Sequence, residues 1–321
     1  TRLGVAVRVI DAAEGPGTTS RALAVQARTL ELHAQLGLAE AAVAGGVRVA
    51  AANLWVAGRR AARLPLRDLG QGQTPYPYAL VFPQDAHERL LLERLAAAGV
   101  TVERRRTLVR FEQDAGGVRA WLRGPDGAEA VSEAAFIAGC DGARSSVRHG
   151  IGAAFAGGTY GALFYVADVE ADGPADDDEI HVVLDRADFV AVFPLQGRGR
   201  MRLVGTAPEG VEQPRFEDVA GPALRSLGLT VRAVNWFSTY RVHHRVASRF
   251  RLGRAFLLGD AAHIHSPVGG QGMNTGIGDA ANLAWKLAAV LDGRAPESLL
   301  DSYPAERVPF ARRLVDTTDR A

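Results

Sequence analysis

The segment that most constrains this chain is residues 255–291. Ala255, Phe256, Leu257 and Leu258 read as a buried strand, and the strand ends on Gly259-Asp260. The loop that follows carries Gly269, Gly270 and Gly272 and runs straight into an apolar stretch that predicts a helix from about Met273 to Leu291. A strand, a glycine-rich loop and a helix N-terminus in that order aim backbone N–H groups and the positive end of a helix dipole at one place, which suits an anionic or electron-rich group. Glycine there lets the backbone approach a flat ligand closely. A plain strand-to-helix connection needs no such density of glycine.

Composition narrows the rest. At 321 residues the chain has room for one large or two ordinary domains, and 47% hydrophobic residues suffice for a core. No run approaches the ~18 apolar residues of a membrane helix, and no signal-peptide pattern is present, so a soluble cytoplasmic protein with no membrane partner is expected. Thirty-seven basic and 36 acidic residues leave a net charge of +1, which argues against nucleic acid as a partner. All the basic residues but Lys286 are arginine. That bias fits either GC-rich codon usage or use of the guanidinium fork on phosphates and carboxylates. The single cysteine, Cys140, excludes an internal disulfide and a cysteine-rich metal cluster.

Along the chain, Val5–Ile10 reads as a β-branched strand ending at Asp11, followed by a turn-rich loop over 12–20. Leu23, Ala27, Leu30, Ala34 and Leu38 recur at helical spacing and predict a helix over 22–38. Residues 47–82 read as short strands and loops, 86–98 as a helix closed by Gly99, and 118–123 and 130–138 as strands about the turn at 124–127. Residues 155–245 are strand-rich, with a polar loop at 172–179 and a short helix near 216–227; a last helix starts near Pro296. The pattern is α/β: a doubly wound, nucleotide-binding sheet domain interrupted by a strand-rich domain.

Asp11 stands where an acid at a strand end could accept hydrogen bonds from a ribose, or could simply be an exposed strand terminus. In Gly139-Cys140-Asp141-Gly142-Ala143-Arg144-Ser145-Ser146-Val147-Arg148, an apolar strand delivers Asp141-Gly142 to a turn, with two arginines on a following helical turn. That arrangement suits a phosphate, and equally a solvated turn. His263 and His265, at i and i+2 without a third ligand in sequence, make a poor metal site, and no metal is expected. Trp236, Phe237 and Tyr240 could wall a pocket or fill a sheet core, and either of His243 and His244 could line it.

The stretch GDAAHIHSPVGGQGMNTGIGDAANLAWKL resembles the second flavin-binding motif of the class A flavoprotein aromatic hydroxylases, typified by p-hydroxybenzoate hydroxylase, and CDGARSSVR resembles that family's DG motif. SRALAVQARTLELHAQLGL and Phe82-Pro83-Gln84 fall in the order the family shows, and RVHHRVASRFRLGRAFLLGDAAH is most similar to the branch that hydroxylates phenols and polyketide aromatics. The resemblance implies FAD as cofactor, NADPH or NADH as co-substrate, and hydroxylation of a small aromatic substrate with O2 activated at flavin C4a. Oxidative rearrangement or Baeyer–Villiger insertion on the same fold, and a flavin-free binding protein, are the alternatives.

Carried over by position, the resemblance implies that Asp11 binds the adenosine ribose, Arg21 lies beside the flavin and its pyrophosphate, and Gln84 contacts the ribityl chain. Asp141 serves the flavin site and the NADPH path, with Arg144 and Arg148 toward the NAD(P)H phosphates. Asp260 holds the ribityl or pyrophosphate region, and the amides of Gly272, Met273 and Asn274 hold the pyrimidine edge. Pro267 borders the space where substrate meets flavin; Phe193, Trp236 and Tyr240 are pocket-wall candidates, and Arg28 is a secondary one. The implied division is an FAD-binding domain from 1–48, 83–153 and 246–321, and a substrate-binding domain from 49–82 and 154–245, with a homodimer as the candidate assembly. The family's G-x-G-x-x-G strand-turn unit, due about 20 residues before Asp11, is absent from this sequence, and the expectation is that one βα unit lies outside it.

Overall fold

The computed structural model describes residues 2–18, 22–175, 177–185, 188–208, 210–211 and 213–318. Seven α-helices are present among them: α1 Ala27–Gln35, α2 Ala39–Gly45, α3 Gln84–Ala97, α4 Ser146–Gly150, α5 Phe216–Ser226, α6 Gly272–Leu291 and α7 Ser302–Thr318. The chain forms two compact units: unit 1 is residues 1–17, 91–158 and 243–321, and unit 2 is residues 18–90 and 159–242.

In unit 1, the buried strand Ala255–Leu257 is the axis, each of its residues being 0% exposed. It pairs in parallel with Ile137–Gly139 on one side and antiparallel with Arg251–Leu252 on the other. A parallel strand buried on both faces calls for a continuous apolar run, which Ala255–Leu258 supplies. Phe250, Phe256, Leu257, Leu283, Leu300 and Tyr303 form the core around it. The Tyr303 hydroxyl donates to the Leu257 carbonyl at 2.7 Å, and burial raises its pKa so that the proton stays on. Helix α4 packs against the strand at Gly139, where a Cβ would come within 2.6 Å of Val147 Cβ. A three-stranded antiparallel sheet, Thr107–Gln113, Val118–Arg123 and Glu129–Ala134, completes the unit's ordered middle.

Three boundaries differ from the sequence expectation in unit 1. The first strand is confined to Val9–Ile10, because its parallel partner is only Val102–Glu103 before the chain turns at Arg105, whose φ is +54°. The single strand expected over 130–138 is two, Glu129–Ala134 and Ile137–Gly139, which belong to different sheets. The last helix begins at Ser302, after a 3-10 turn over Glu297–Asp301.

In unit 2, seven strands lie side by side in the order Thr230–Ala247, Phe155–Asp172, Arg200–Thr206, Asp188–Pro194, Ile180–Asp185, Ala51–Val56 and Arg59–Pro65, the two outermost on one side continuing past the unit boundaries. Helix α5 covers one face. Its apolar residues Phe216, Val219, Ala220, Ala223 and Leu224 recur at the i, i+3, i+4 spacing of a single stripe. They share a core with Tyr165, Val190, Val192, Met201 and Leu203 of the sheet. Glu217 and Asp218 in the first turn and Arg225 in the last suit the helix dipole. The helix expected over 22–38 starts only at Ala27, because Ala24–Val25 is taken into a strand against Leu80–Val81. Among the described residues no helix is long and apolar enough to cross a membrane.

Candidate functional site

The two motifs read from the sequence sit at the carboxyl ends of neighbouring parallel strands of unit 1. Ile137–Gly139 leads to Asp141, Ala255–Leu257 leads to Asp260, and the Leu258 amide donates to the Gly139 carbonyl at 3.0 Å beyond the ladder. The carboxyl edge of a parallel sheet is where α/β proteins place ligands.

On the first turn, Asp141 Oδ2 accepts from the Val147 amide at 3.1 Å and Ser145 Oγ accepts from the Arg148 amide at 2.9 Å, so the N-terminus of α4 is capped by the motif itself. Arg144 is exposed beside them. Arg148 has a different place from the one expected. It is buried, donates to the carbonyls of Ala261 at 3.1 Å and Ala143 at 2.7 Å, and lies over the Phe155 ring. Turned inward, its guanidinium braces the two motif turns against each other rather than facing a dinucleotide in solvent.

On the second turn, Gly259 adopts φ +55° and opens a 3-10 turn, Gly259–Ala261, that leaves Asp260 exposed. Gly276 of α6 backs this turn so closely that a Cβ on it would stand 3.3 Å from Gly259 Cα. The chain then passes exposed Pro267, two left-handed glycines, Gly269 at +76° and Gly270 at +61°, and enters α6 at Gly272. Asn274 Nδ2 donates to the Gly270 carbonyl at 2.7 Å and ties the loop to the helix's first turn. Gly272, Met273 and Asn274 form the first turn of α6, the end of a helix where the dipole is positive.

Under the turn lies a buried charge cluster that the sequence reading missed. Asp279 is 1% exposed; its Oδ2 meets His263 Nε2 at 2.7 Å and the Gly259 amide at 3.1 Å, and its Oδ1 accepts from Arg307 Nε at 2.6 Å. Burial alone would raise the Asp279 pKa, but the bonds and charge of His263 and Arg307 hold it below the ordinary carboxylate range. Its one sequence signal is an acid inside the apolar stripe of α6, seven residues ahead of an equally buried Lys286 whose Nζ meets Glu306 Oε2 at 2.9 Å.

The donor set fits the flavin that the motifs imply. Gly272 presents no side chain, and the nearest group to where its Cβ would stand is the His265 ring at 3.8 Å. His265 Nδ1 donates to the Ser266 carbonyl at 3.0 Å, which leaves Nε2 as an acceptor, buried and without a partner among the described residues. Burial pushes the His265 pKa down, keeping that nitrogen unprotonated. A polar edge seated at Gly272 would therefore meet amide donors and an acceptor.

The remaining candidates are placed as follows. Asp11, in unit 1, uses its carboxylate internally, on Arg104 Nη1 at 2.6 Å and the Ala13 amide at 2.8 Å. Arg21 lies outside the described residues. In unit 2, Gln84 is exposed at the start of α3, and Arg28 is exposed on α1 in an ion pair with Glu31 at 2.8 Å. Phe193 packs with Leu23, Val49, Val81 and Leu195; Tyr240 lies against Phe164, their centroids 5.9 Å apart. Trp236 lies 5.9 Å from the guanidinium of Arg202, itself buried and held by Asp168 through Nε at 2.6 Å and Nη2 at 2.7 Å. Phe237 belongs to the core beneath α5.

Compared with known proteins, residues 1–318 match the FAD binding domain family. The chain is 42% identical over 326 residues to 6-methylpretetramide 4-monooxygenase of Streptomyces rimosus, covering 100% of this chain and 58% of that protein. It is 34% identical to pentachlorophenol 4-monooxygenase of Sphingobium chlorophenolicum, covering 99% of this chain and 60% of the relative. Among solved structures it superposes on the flavin-dependent monooxygenase PieE, in complex with FAD and substrate, with a TM-score of 0.90 at 27% identity, over 99% of this chain and 59% of that one. On p-nitrophenol 4-monooxygenase PnpA of Pseudomonas putida DLL-E4 the TM-score is 0.89 at 28% identity, over 99% and 82%.

Proposed function

Since this chain belongs to the FAD binding domain family, we propose that it works as an FAD-dependent, NAD(P)H-consuming monooxygenase that hydroxylates an aromatic ring, phenolic or polyketide. The observation that carries the reading is the pair of adjacent parallel strands that bring the Asp141 and Asp260 turns to one sheet edge, with Arg148 joining the turns through the Ala261 carbonyl. The names of the relatives, which act on a pretetramide and on a chlorinated phenol, support the substrate class.

When bound, the flavin supplies hydride acceptance and oxygen activation; the protein supplies position and a dry surrounding. In this reading Asp260 receives hydroxyls of the ribityl–pyrophosphate region, and the amides of Gly272, Met273 and Asn274 face the pyrimidine edge, where the dipole of α6 favours negative charge. Asp141 and Arg144 stand on the co-substrate path, Pro267 borders the reacting space, and Gln84, Arg21 and Asp11 complete the cofactor contacts. Phe193, Trp236 and Tyr240 line the substrate side. The functional division is an FAD-binding domain from 1–48, 83–153 and 246–321 and a substrate-binding domain from 49–82 and 154–245, acting in the cytoplasm as a homodimer.

Titration of the purified chain with FAD, followed by visible absorption, tests the cofactor. A bound-flavin spectrum is expected, and Asp260→Ala is expected to abolish flavin retention with an unchanged far-UV circular dichroism spectrum. Phenolic and polycyclic substrates should then stimulate NADH or NADPH oxidation and yield products heavier by one oxygen. An Asp260→Ala protein that keeps its flavin would overturn the site.

A further inference from the structure

We propose that Asp279 is a positioning residue for the flavin site, and that Arg307 of α7 acts on the cofactor through it. The inference rests on the reading of Asp260 as a flavin contact. The Gly259 amide, in the peptide that enters the turn ahead of Asp260, donates to Asp279 Oδ2 at 3.1 Å, so the carboxylate anchors the start of the turn that carries Asp260. Gly259 is in the left-handed region at +55°, a conformation that glycine permits and does not itself enforce. The Ala262 amide closes the turn from within by donating to the Gly259 carbonyl at 2.8 Å, and the Asp279 carboxylate holds it from outside.

The carboxylate is in turn held on both oxygens. It sits 1% exposed on the inner face of α6, with His263 on one oxygen and Arg307 on the other. Arg307 reaches it across α6 at Gly278, where a Cβ would come within 3.3 Å of the guanidinium, and its Nη2 also donates to the Thr275 carbonyl at 3.3 Å. Four residues earlier on α7, Tyr303 binds the Leu257 carbonyl at the end of the strand that precedes the turn. The last helix therefore grips both the strand end and, through Asp279, the turn itself. His263 stacks nearly parallel to His265, at 17° and 6.2 Å, which extends the same rigid assembly to the imidazole beside Gly272. A residue that organises the ligand's contacts without touching it changes binding more than fold.

The test is the FAD dissociation constant of the full chain, stripped of flavin and titrated by fluorescence quenching, for Asp279→Asn, Arg307→Lys, Asp260→Asn and the Asp279→Asn/Asp260→Asn pair. Asp279→Asn keeps the shape and Arg307→Lys keeps the charge, and melting of the flavin-free proteins reports fold separately. The expected result is a ten- to hundredfold weaker affinity for Asp279→Asn, a smaller loss for Arg307→Lys, and no further loss when Asp279→Asn is added to Asp260→Asn. A purely structural role would lower the flavin-free melting temperature and add its full effect in the Asp260→Asn background, which would overturn the proposal. An Asp279→Asn affinity within twofold of the parent, with Asp260→Asn weakened, would overturn it and leave the flavin site standing. If Asp260→Asn itself binds FAD like the parent, both fall together.

Discussion

His33 of α1 and His87 of α3 face each other Nε2 to Nε2 at 2.5 Å, both at most 2% exposed. The contact needs one proton between two neutral rings. Burial lowers the pKa of His33, and burial reinforced by its neighbour's charge takes His87 down to about 4. Between pH 6.5 and about 4 the unfolded chain therefore binds more protons than the folded one, so stability is full above this window and falls as the pH drops through it. For His87 the loss is on the order of 3 kcal/mol. Urea unfolding at pH 7.5, 6 and 5 is expected to show this slope, and His87→Phe is expected to flatten it. A second prediction concerns Gly276: since even a Cβ there would stand 3.3 Å from Gly259 Cα, Gly276→Val should push the Asp260 turn off α6 and weaken FAD binding at least tenfold with helix content retained. Both effects were hidden in the sequence for the same reason. Periodicity put each residue on its element, but His33 and His87 are 54 positions apart, and nothing local pairs them.

At the level of elements, the strand Ala255–Leu257, helix α6 and the glycine loop between them were legible because the residues that build them are consecutive. Helix α5 was legible from its single apolar stripe. Elements decided by a distant partner were not: the short strand Ala24–Val25 exists only because Leu80–Val81 pairs with it, and the pattern before Ala27 is otherwise helical. The Arg202–Asp168 pair is of this kind too, directly opposed on adjacent strands of unit 2, with the arginine 2% exposed. Arg202→Ala would strand a carboxylate that is largely covered and should cost about 3–5 kcal/mol, whereas replacing both residues by apolar ones of similar volume should cost far less. Chemical denaturation of Arg202→Ala and of the apolar double variant checks the difference. Within the candidate site, Asp141, Asp260 and the start of α6 were readable from motif and order, while the inward turn of Arg148 follows from the position of Ala261, 113 residues away.

For the molecule as a whole, a net charge of +1 provides no long-range field to gather an anionic cofactor, so affinity has to come from local contacts. Binding should then appear as ordinary mass action. FAD at 100 times its dissociation constant is expected to stabilise the chain by about 2.7 kcal/mol, seen as a melting temperature that climbs with the logarithm of FAD concentration. A shift that saturates early, or none, would speak against a specific site. The chain path has a further consequence. It passes between the two units at residues 17/18, 90/91, 158/159 and 242/243. On the ribosome, every residue of unit 2 has therefore been made once Val242 is joined, while unit 1, begun first, still lacks its axial strand, its glycine loop and the arginine that holds Asp279. The axial strand and the glycine loop of unit 1 are thus made after the whole of unit 2, and a nascent chain stalled in that strand would carry one finished unit and one that cannot yet close.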